Sequence, residues 1–170
     1  VRLLNEYFSV MTPVIHDHHG YRDKFLGDGI MFLYGAPERN ADHAIHAVAT
    51  VLKMEETMLR LNERLAARNL PTLTMRTGVS TGEMIVGDSG SDDASNYTVH
   101  GNPVNLGSRL ESANKAVGTR ILLSQRTFDL LPDDLFLVRP IGKFVVFGLS
   151  DPVMTYEPLA HVARATDLQK

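Results

Sequence analysis

The chain contains no cysteine. That excludes disulfides, thiol nucleophiles and cysteine metal sites, and it fits a reducing compartment. Also missing is any apolar run near the roughly 18 residues that a membrane helix needs, and no signal peptide is visible. Charge of one sign is lacking too: a net charge of -3 offers no electrostatic argument for nucleic acid or an anionic membrane. These absences lead to the expectation of a cytoplasmic domain that touches neither nucleic acid nor membrane, whatever anchors a larger parent protein. What is present is ordinary: 170 residues, 44% hydrophobic and 22% charged, enough for one domain with a sizeable core.

Hydrophobic spacing predicts the elements. Leu3, Leu4, Tyr7, Phe8, Met11 and Ile15 share one face of a helix over 3–19, with a break or kink expected at Pro13. Ala44, Val48, Val51, Met58, Leu61 and Leu65 mark a long helix over 41–69, started by Asn40 or Asp42 and ended by Asn69 and Pro71. Leu73, Met75, Thr77 and Val79 alternate as a strand does, and Met84 to Val86 is expected to pair with it. Residues 87–96 read as a polar loop. A helix over 103–115 is followed by a strand at 120–123 and a short helix capped by Ser124. Strands near 135–139, 143–148 and 153–157 complete the order, with a loose tail from about Ala160. The mixture predicts an α+β fold with a largely antiparallel sheet and helices packed on it. No internal repeat and no linker divides the chain.

Two segments carry chemistry. In Tyr21-Arg22-Asp23-Lys24-Phe25-Leu26-Gly27-Asp28-Gly29-Ile30-Met31-Phe32, two apolar runs flank a Gly-Asp-Gly turn. Asp-Gly is a strong hairpin signal and puts the Asp28 carboxylate at the tip, within reach of a cation. Alone, Asp-Gly is more often only a turn. In the second segment, Asn102-Pro103 is a helix start, with Asn102 as cap and proline at the first helical position. Asn105 and Arg109, four apart, then share a helix face beside an apolar stripe of Leu106, Leu110 and Ala113. A guanidinium and an amide on one ridge suit an anionic, hydrogen-bonding ligand. The bland alternative is a solvated face with Arg109 paired to Glu111.

Taken in order, Leu4-Asn5-Glu6-Tyr7-Phe8, Asp23 to Asp28, Arg76-Thr77-Gly78-Val79-Ser80-Thr81-Gly82-Glu83 with Val86-Gly87, and Tyr97 to Glu111 resemble the class III nucleotidyl cyclases, the family of adenylate and guanylate cyclase catalytic domains. The resemblance implies a ferredoxin-like core with extra strands, acting as a homodimer with two shared sites. It implies conversion of a nucleoside triphosphate to its 3′,5′-cyclic monophosphate and pyrophosphate, assisted by two divalent cations, Mg²⁺ or Mn²⁺. By position, Asp28 matches a metal-binding aspartate, Arg109 the arginine on the transition-state phosphate, and Asn105 the asparagine that orients the ribose. Lys24 and Thr98 match the base-reading pair. Lysine can donate to adenine N1 and threonine can accept from the N6 amine, which implies ATP over GTP. Guanylate cyclases of the family generally carry glutamate and cysteine there.

The resemblance is incomplete in two places. The family's opening strand, with its other metal aspartate, precedes the Asn5 helix, so residues 1–159 are expected to be an N-terminally incomplete catalytic domain and 160–170 a tail. Asp17 and Asp23 are the nearest carboxylates, and neither sits in that motif. Late in the chain Val146-Phe147-Gly148 stands where the family usually has Val-Lys-Gly, so Phe147 replaces a lysine that touches the terminal phosphates. Lys143 and Arg139 lie near it. An upstream sensory or regulatory domain is expected in the parent.

Other motifs in the chain carry less. Gly87-Asp88-Ser89-Gly90 resembles the surroundings of some protease serines, but nothing supports His43, His46 or His100 as a base. Gly82 and Gly87 have phosphate-loop spacing, yet Asp88 and Ser89 follow where lysine is required. His16-Asp17-His18-His19 reads as a solvated helix end rather than a zinc cluster. Lys53, Glu55, Glu56, Arg60, Glu63 and Arg64 read as a mixed-charge solvated face. The alternative from another class is a non-catalytic cyclase-like module that dimerises, binds nucleotide and regulates an attached domain.

Overall fold

The structure, a computed structural model, describes residues 1–91, 94–146 and 150–165. Two compact units divide it, Val1–Met75 and Arg76–Lys170.

In the first unit, helix α1 (Arg2–Asp17) leads into strands β1 (Tyr21–Leu26) and β2 (Gly29–Leu33), then helix α2 (His43–Ala67). The expected break at Pro13 does not occur; α1 runs unbroken through it, with the proline ring on an exposed face. The two helices bury a common stripe of Tyr7, Met11, Val14, Ile15, Met54, Met58, Leu61 and Leu65, against which Ile30 and Phe32 of the hairpin pack. This is the spacing expected of both helices, with Val14 and Met54 added. Asp42 precedes α2 without a side-chain cap, and the chain leaves it through Arg68 and Asn69, the latter at φ +56°.

The hairpin turn differs in phase from the expectation. Leu26 pairs with Gly29, so Gly27 and Asp28 are the two turn residues and Gly29 opens β2. Gly27 sits at φ +62°, the left-handed region that glycine enters at little cost. The turn is therefore of the glycine-first kind rather than Asp-Gly centred. The ladder is also irregular: Arg22 pairs with Phe32 and Lys24 with Met31, leaving Asp23 as an extra, bulged residue.

The second unit is built on a four-stranded sheet in the order β3-β6-β8-β7. Here β3 is Thr77–Val79, β6 Ile121–Ser124, β7 Phe136–Phe144 and β8 Val153–His161. The β3–β6 pair is parallel and the others antiparallel. Helix α3 (Asn102–Val117) packs Leu110 with Leu122 and Val146, joined by Leu106 and Ala113. The short helix α4 (Gln125–Asp129) is capped as expected, Ser124 Oγ accepting from the Thr127 amide at 3.3 Å.

Several expectations fail here. The strand at 73–79 shrinks to β3, because residues 70–76 have no partner strand. Met84 to Val86 does not pair with it. Instead β4 (Ile85–Ser91) forms an antiparallel ribbon with β5 (Ala94–His100), so most of the expected polar loop is strand. Strand formation follows from the partner across the ladder more than from local composition. The strands expected at 135–139 and 143–148 meet in one long β7 that ends at Phe144 and is irregular between Pro140 and Gly142, residues 147 and 148 lying outside the described residues, and β8 continues to His161 because its far end pairs with Phe136. Among the described residues no helix is long and apolar enough to cross a membrane.

Candidate functional site

The candidate residues divide between the two units. Lys24 and Asp28 belong to the hairpin of the first, and Thr98, Asn105 and Arg109 to β5 and α3 of the second.

Asp28 is exposed at the hairpin tip, carried there by the two-residue turn. It is not isolated electrically. Tyr7, buried on α1, has its phenol pushed up to about 12, first by burial, then by the Asp28 carboxylate and by Glu55 of α2. The solvated face expected over 53–64 does not hold at Glu55. It lies instead partly buried beside the core stripe, one residue after Met54 and three before Met58. Sequence periodicity could have flagged it, since position 55 also lies four after Val51.

Lys24 forms an ion pair with Asp23, 3.3 Å between Nζ and Oδ2. Phe25 packs on Phe8 with ring centroids 4.3 Å apart, and the Arg22 guanidinium lies 4.7 Å over the Phe25 ring. The Phe8–Phe25 contact thereby holds the strand on α1 one residue from Lys24, and the Arg22 guanidinium covers the same ring.

In the second unit α3 is seated very closely. A Cβ on Gly78 would stand 2.0 Å from the Gly107 carbonyl oxygen, so strand and helix backbones meet where no side chain fits. Asn114, fully buried, donates through Nδ2 to the Thr77 and Leu110 carbonyls, both at 3.0 Å, and accepts from Thr119 Oγ1 at 2.7 Å. Gly107, Leu110 and Asn114 define the seated face. At 100° per residue, Asn105 and Arg109 fall on the opposite side, where Asn105 is exposed and Arg109 partly so. The helix start differs slightly from the expectation: Gly101 is the cap position and no side chain caps it, so Asn102 is the first helical residue. Glu111 pairs with Arg76 at 3.6 Å, and among the described residues Arg109 makes no ion pair. The bland alternative of an Arg109–Glu111 pair is therefore not what forms.

Thr98 lies in β5 opposite Gly87. Its side chain is outside the described residues, as is Phe147. Of the cations near Phe147 in sequence, Arg139 is held by Glu157 at 2.6 Å on the β7–β8 ladder, whereas Lys143 is exposed.

The other ligand-type side chains are scattered. Asp17 is exposed at the end of α1, and His18 Nδ1 lies 2.8 Å from the Val14 carbonyl. The rings of His19 and His46 are 4.9 Å apart. Among the described residues no group of three or more His, Cys, Asp or Glu converges as a metal site. Asp28 thus fits a divalent cation as one hard oxygen donor.

Residues 1–157 match the family described as the adenylate and guanylate cyclase catalytic domain. Adenylate cyclase 1 of Rhizobium meliloti is 34% identical over 167 residues, which is 98% of this chain and 25% of that protein. The adenylyl cyclase CyaB from P. aeruginosa superposes with a TM-score of 0.85 at 34% identity, covering 93% of this chain and 81% of the other. The guanylyl cyclase Cya2 does so with a TM-score of 0.83, also at 34% identity, covering 94% and 80%. The chain spans about a quarter of the length of the Rhizobium relative.

Proposed function

Because the chain belongs to the adenylate and guanylate cyclase catalytic domain family, we propose that it converts ATP to 3′,5′-cyclic AMP and pyrophosphate, as a homodimer with shared sites. The observation that carries this reading is the outward ridge of α3, where Asn105 and Arg109 stand together on a helix locked to its sheet by the Gly78 contact and the Asn114 clasp.

In the reaction the ribose 3′-oxygen forms a bond to the α-phosphorus in line with the departing bridging oxygen. The bond to that oxygen breaks, pyrophosphate leaves with the electron pair, and the 3′-hydroxyl proton passes to solvent. Little covalent chemistry falls to the protein, so position and charge decide the rate. The Arg109 guanidinium offers planar paired donors to the α-phosphoryl oxygens as their charge rises. The Asn105 amide, one helical turn away, holds the ribose so that the 3′-oxygen faces phosphorus. Asp28 is the residue of this chain that would hold a divalent cation, which when bound lowers the pKa of the 3′-hydroxyl and neutralises the triphosphate.

Comparison alone does not separate ATP from GTP, since an adenylyl and a guanylyl cyclase match at equal identity. The substrate reading rests on Lys24 donating to adenine N1 and Thr98 accepting from the N6 amine. Replacing Lys24→Glu and Thr98→Cys together should move the ATP:GTP ratio of kcat/KM toward GTP by at least about tenfold, the scale of one misplaced polar contact. An unchanged ratio would remove the base assignment. The second reading is the nucleotide-binding regulatory module, favoured by Phe147 standing where the family usually has a lysine. Tight ATP binding without turnover would select it.

A further inference from the structure

Asp23 precedes Lys24 directly, and in a regular strand adjacent side chains leave opposite faces of the sheet. The two would then be unable to pair. The bulge removes that restriction, because Arg22 and Lys24 take successive partners on β2 and Asp23 is left over. An extra residue of this kind breaks the alternation and re-aims a side chain. The outcome is the 3.3 Å contact between the Asp23 carboxylate and the Lys24 ammonium, with the Asp23 side chain 1% exposed and that of Lys24 42% exposed.

The asymmetry of exposure is informative. A buried carboxylate is costly unless paired and hydrogen-bonded, so Asp23 is fixed in place by the fold. Lysine is the opposite kind of group, a point charge on a flexible four-carbon stem. Joined to a fixed partner, its ammonium is restrained in position while the side chain stays 42% exposed.

We infer that Asp23 is a positioning residue for base selection: from the bulge in β1 it holds the Lys24 ammonium where a purine ring nitrogen is read. This rests on the reading of Lys24 as the base-selecting lysine. Asp23 touches no substrate itself. It restricts the rotamers of Lys24, so the lysine meets the purine with its orientation already set.

The test compares Asp23→Asn, Lys24→Ala and the double variant in the full-length protein, with ATP and GTP as alternative substrates. Asp23→Asn keeps size and loses charge. The ATP KM should rise about tenfold, as for one lost oriented hydrogen bond to a charged group. Its kcat at saturating ATP should change less than its KM, and the ATP:GTP ratio should fall toward that of Lys24→Ala. Adding Asp23→Asn to Lys24→Ala should lower the ratio no further, which a merely structural role would not produce. If turnover is absent, dissociation constants for ATP and GTP are read the same way. A normal ratio in Asp23→Asn beside a lowered one in Lys24→Ala would overturn the inference and leave the base reading standing. Additive losses would overturn it too, as would an unchanged ratio in Lys24→Ala, which removes the premise. Should Asp23→Asn fail to fold, Asp23→Glu keeps the charge and displaces the ammonium; a lowered ratio supports the inference and a normal one overturns it.

Discussion

Tyr34 follows β2 and is hydrogen-bonded to Thr50 of α2, whose hydroxyl donates in turn to the His46 carbonyl at 2.7 Å. Burial raises the Tyr34 phenol above its ordinary 10.0, and Tyr7 moves the same way. A phenol is neutral while protonated, so folding here favours the protonated form. The resulting stability is complete below the ordinary value. As pH rises past it, the unfolded chain ionises first and stability falls until the folded phenol also titrates. Denaturant unfolding between about pH 9 and 11 should show that decline. Tyr34→Phe should flatten it, while the Tyr7 share persists; an undiminished slope would contradict the assignment. At this scale the sequence was partly legible. Asp28 at the tip and the pairing of Asn105 with Arg109 follow from short-range rules of turns and helices. The Asp23–Lys24 pair does not, because it depends on the shifted register of β1 against β2.

Helix α3 carries the candidate phosphate ligands, and its position depends on residues that never face the ligand. Asn114 is fully buried with partners on β3, on its own helix and on Thr119. Asn114→Ala would leave the Thr119 hydroxyl and the Thr77 carbonyl without that partner in the interior, at about 1–3 kcal/mol for each group stranded. Urea unfolding should register the loss, and a change within the roughly 0.5 kcal/mol typical of surface sites would contradict the clasp. Long, periodic elements follow from spacing: α1, α2 and α3 stand near their expected bounds, apart from the absent break at Pro13, and Ser124 caps α4. The strands were harder. Ile85 to Ser91 is rich in glycine, serine and aspartate and reads locally as loop, yet it pairs residue by residue with Ala94 to His100. Similarly, nothing near Thr77–Val79 announces its parallel partner Ile121–Leu123 more than forty residues later.

At the scale of the whole molecule, the proposed homodimer has two symmetric sites, each drawing Asp28 from one protomer and Lys24, Thr98, Asn105 and Arg109 from the other. A symmetric pair of this kind can be complemented. Asp28→Ala and Arg109→Ala chains should each be inactive alone. Mixed, about half the dimers are heterodimers with one intact site of two, so about a quarter of the unmutated activity should return. No recovery from a mixture shown to exchange subunits would argue for sites within one protomer. The fold class was legible from the order of strands and helices together with the motif resemblance, and the match to solved cyclases at TM-scores of 0.83 and 0.85 bears it out. The central claim is catalysis on ATP. Its most direct test is cyclic AMP formation from ATP with Mn²⁺ by the full-length protein, beside an Arg109→Ala variant checked for folding and dimerisation. Cyclic AMP from the unmutated protein and none from the variant is the expected result. A folded dimer that binds ATP and forms no cyclic AMP would contradict the claim and make the chain a regulatory module.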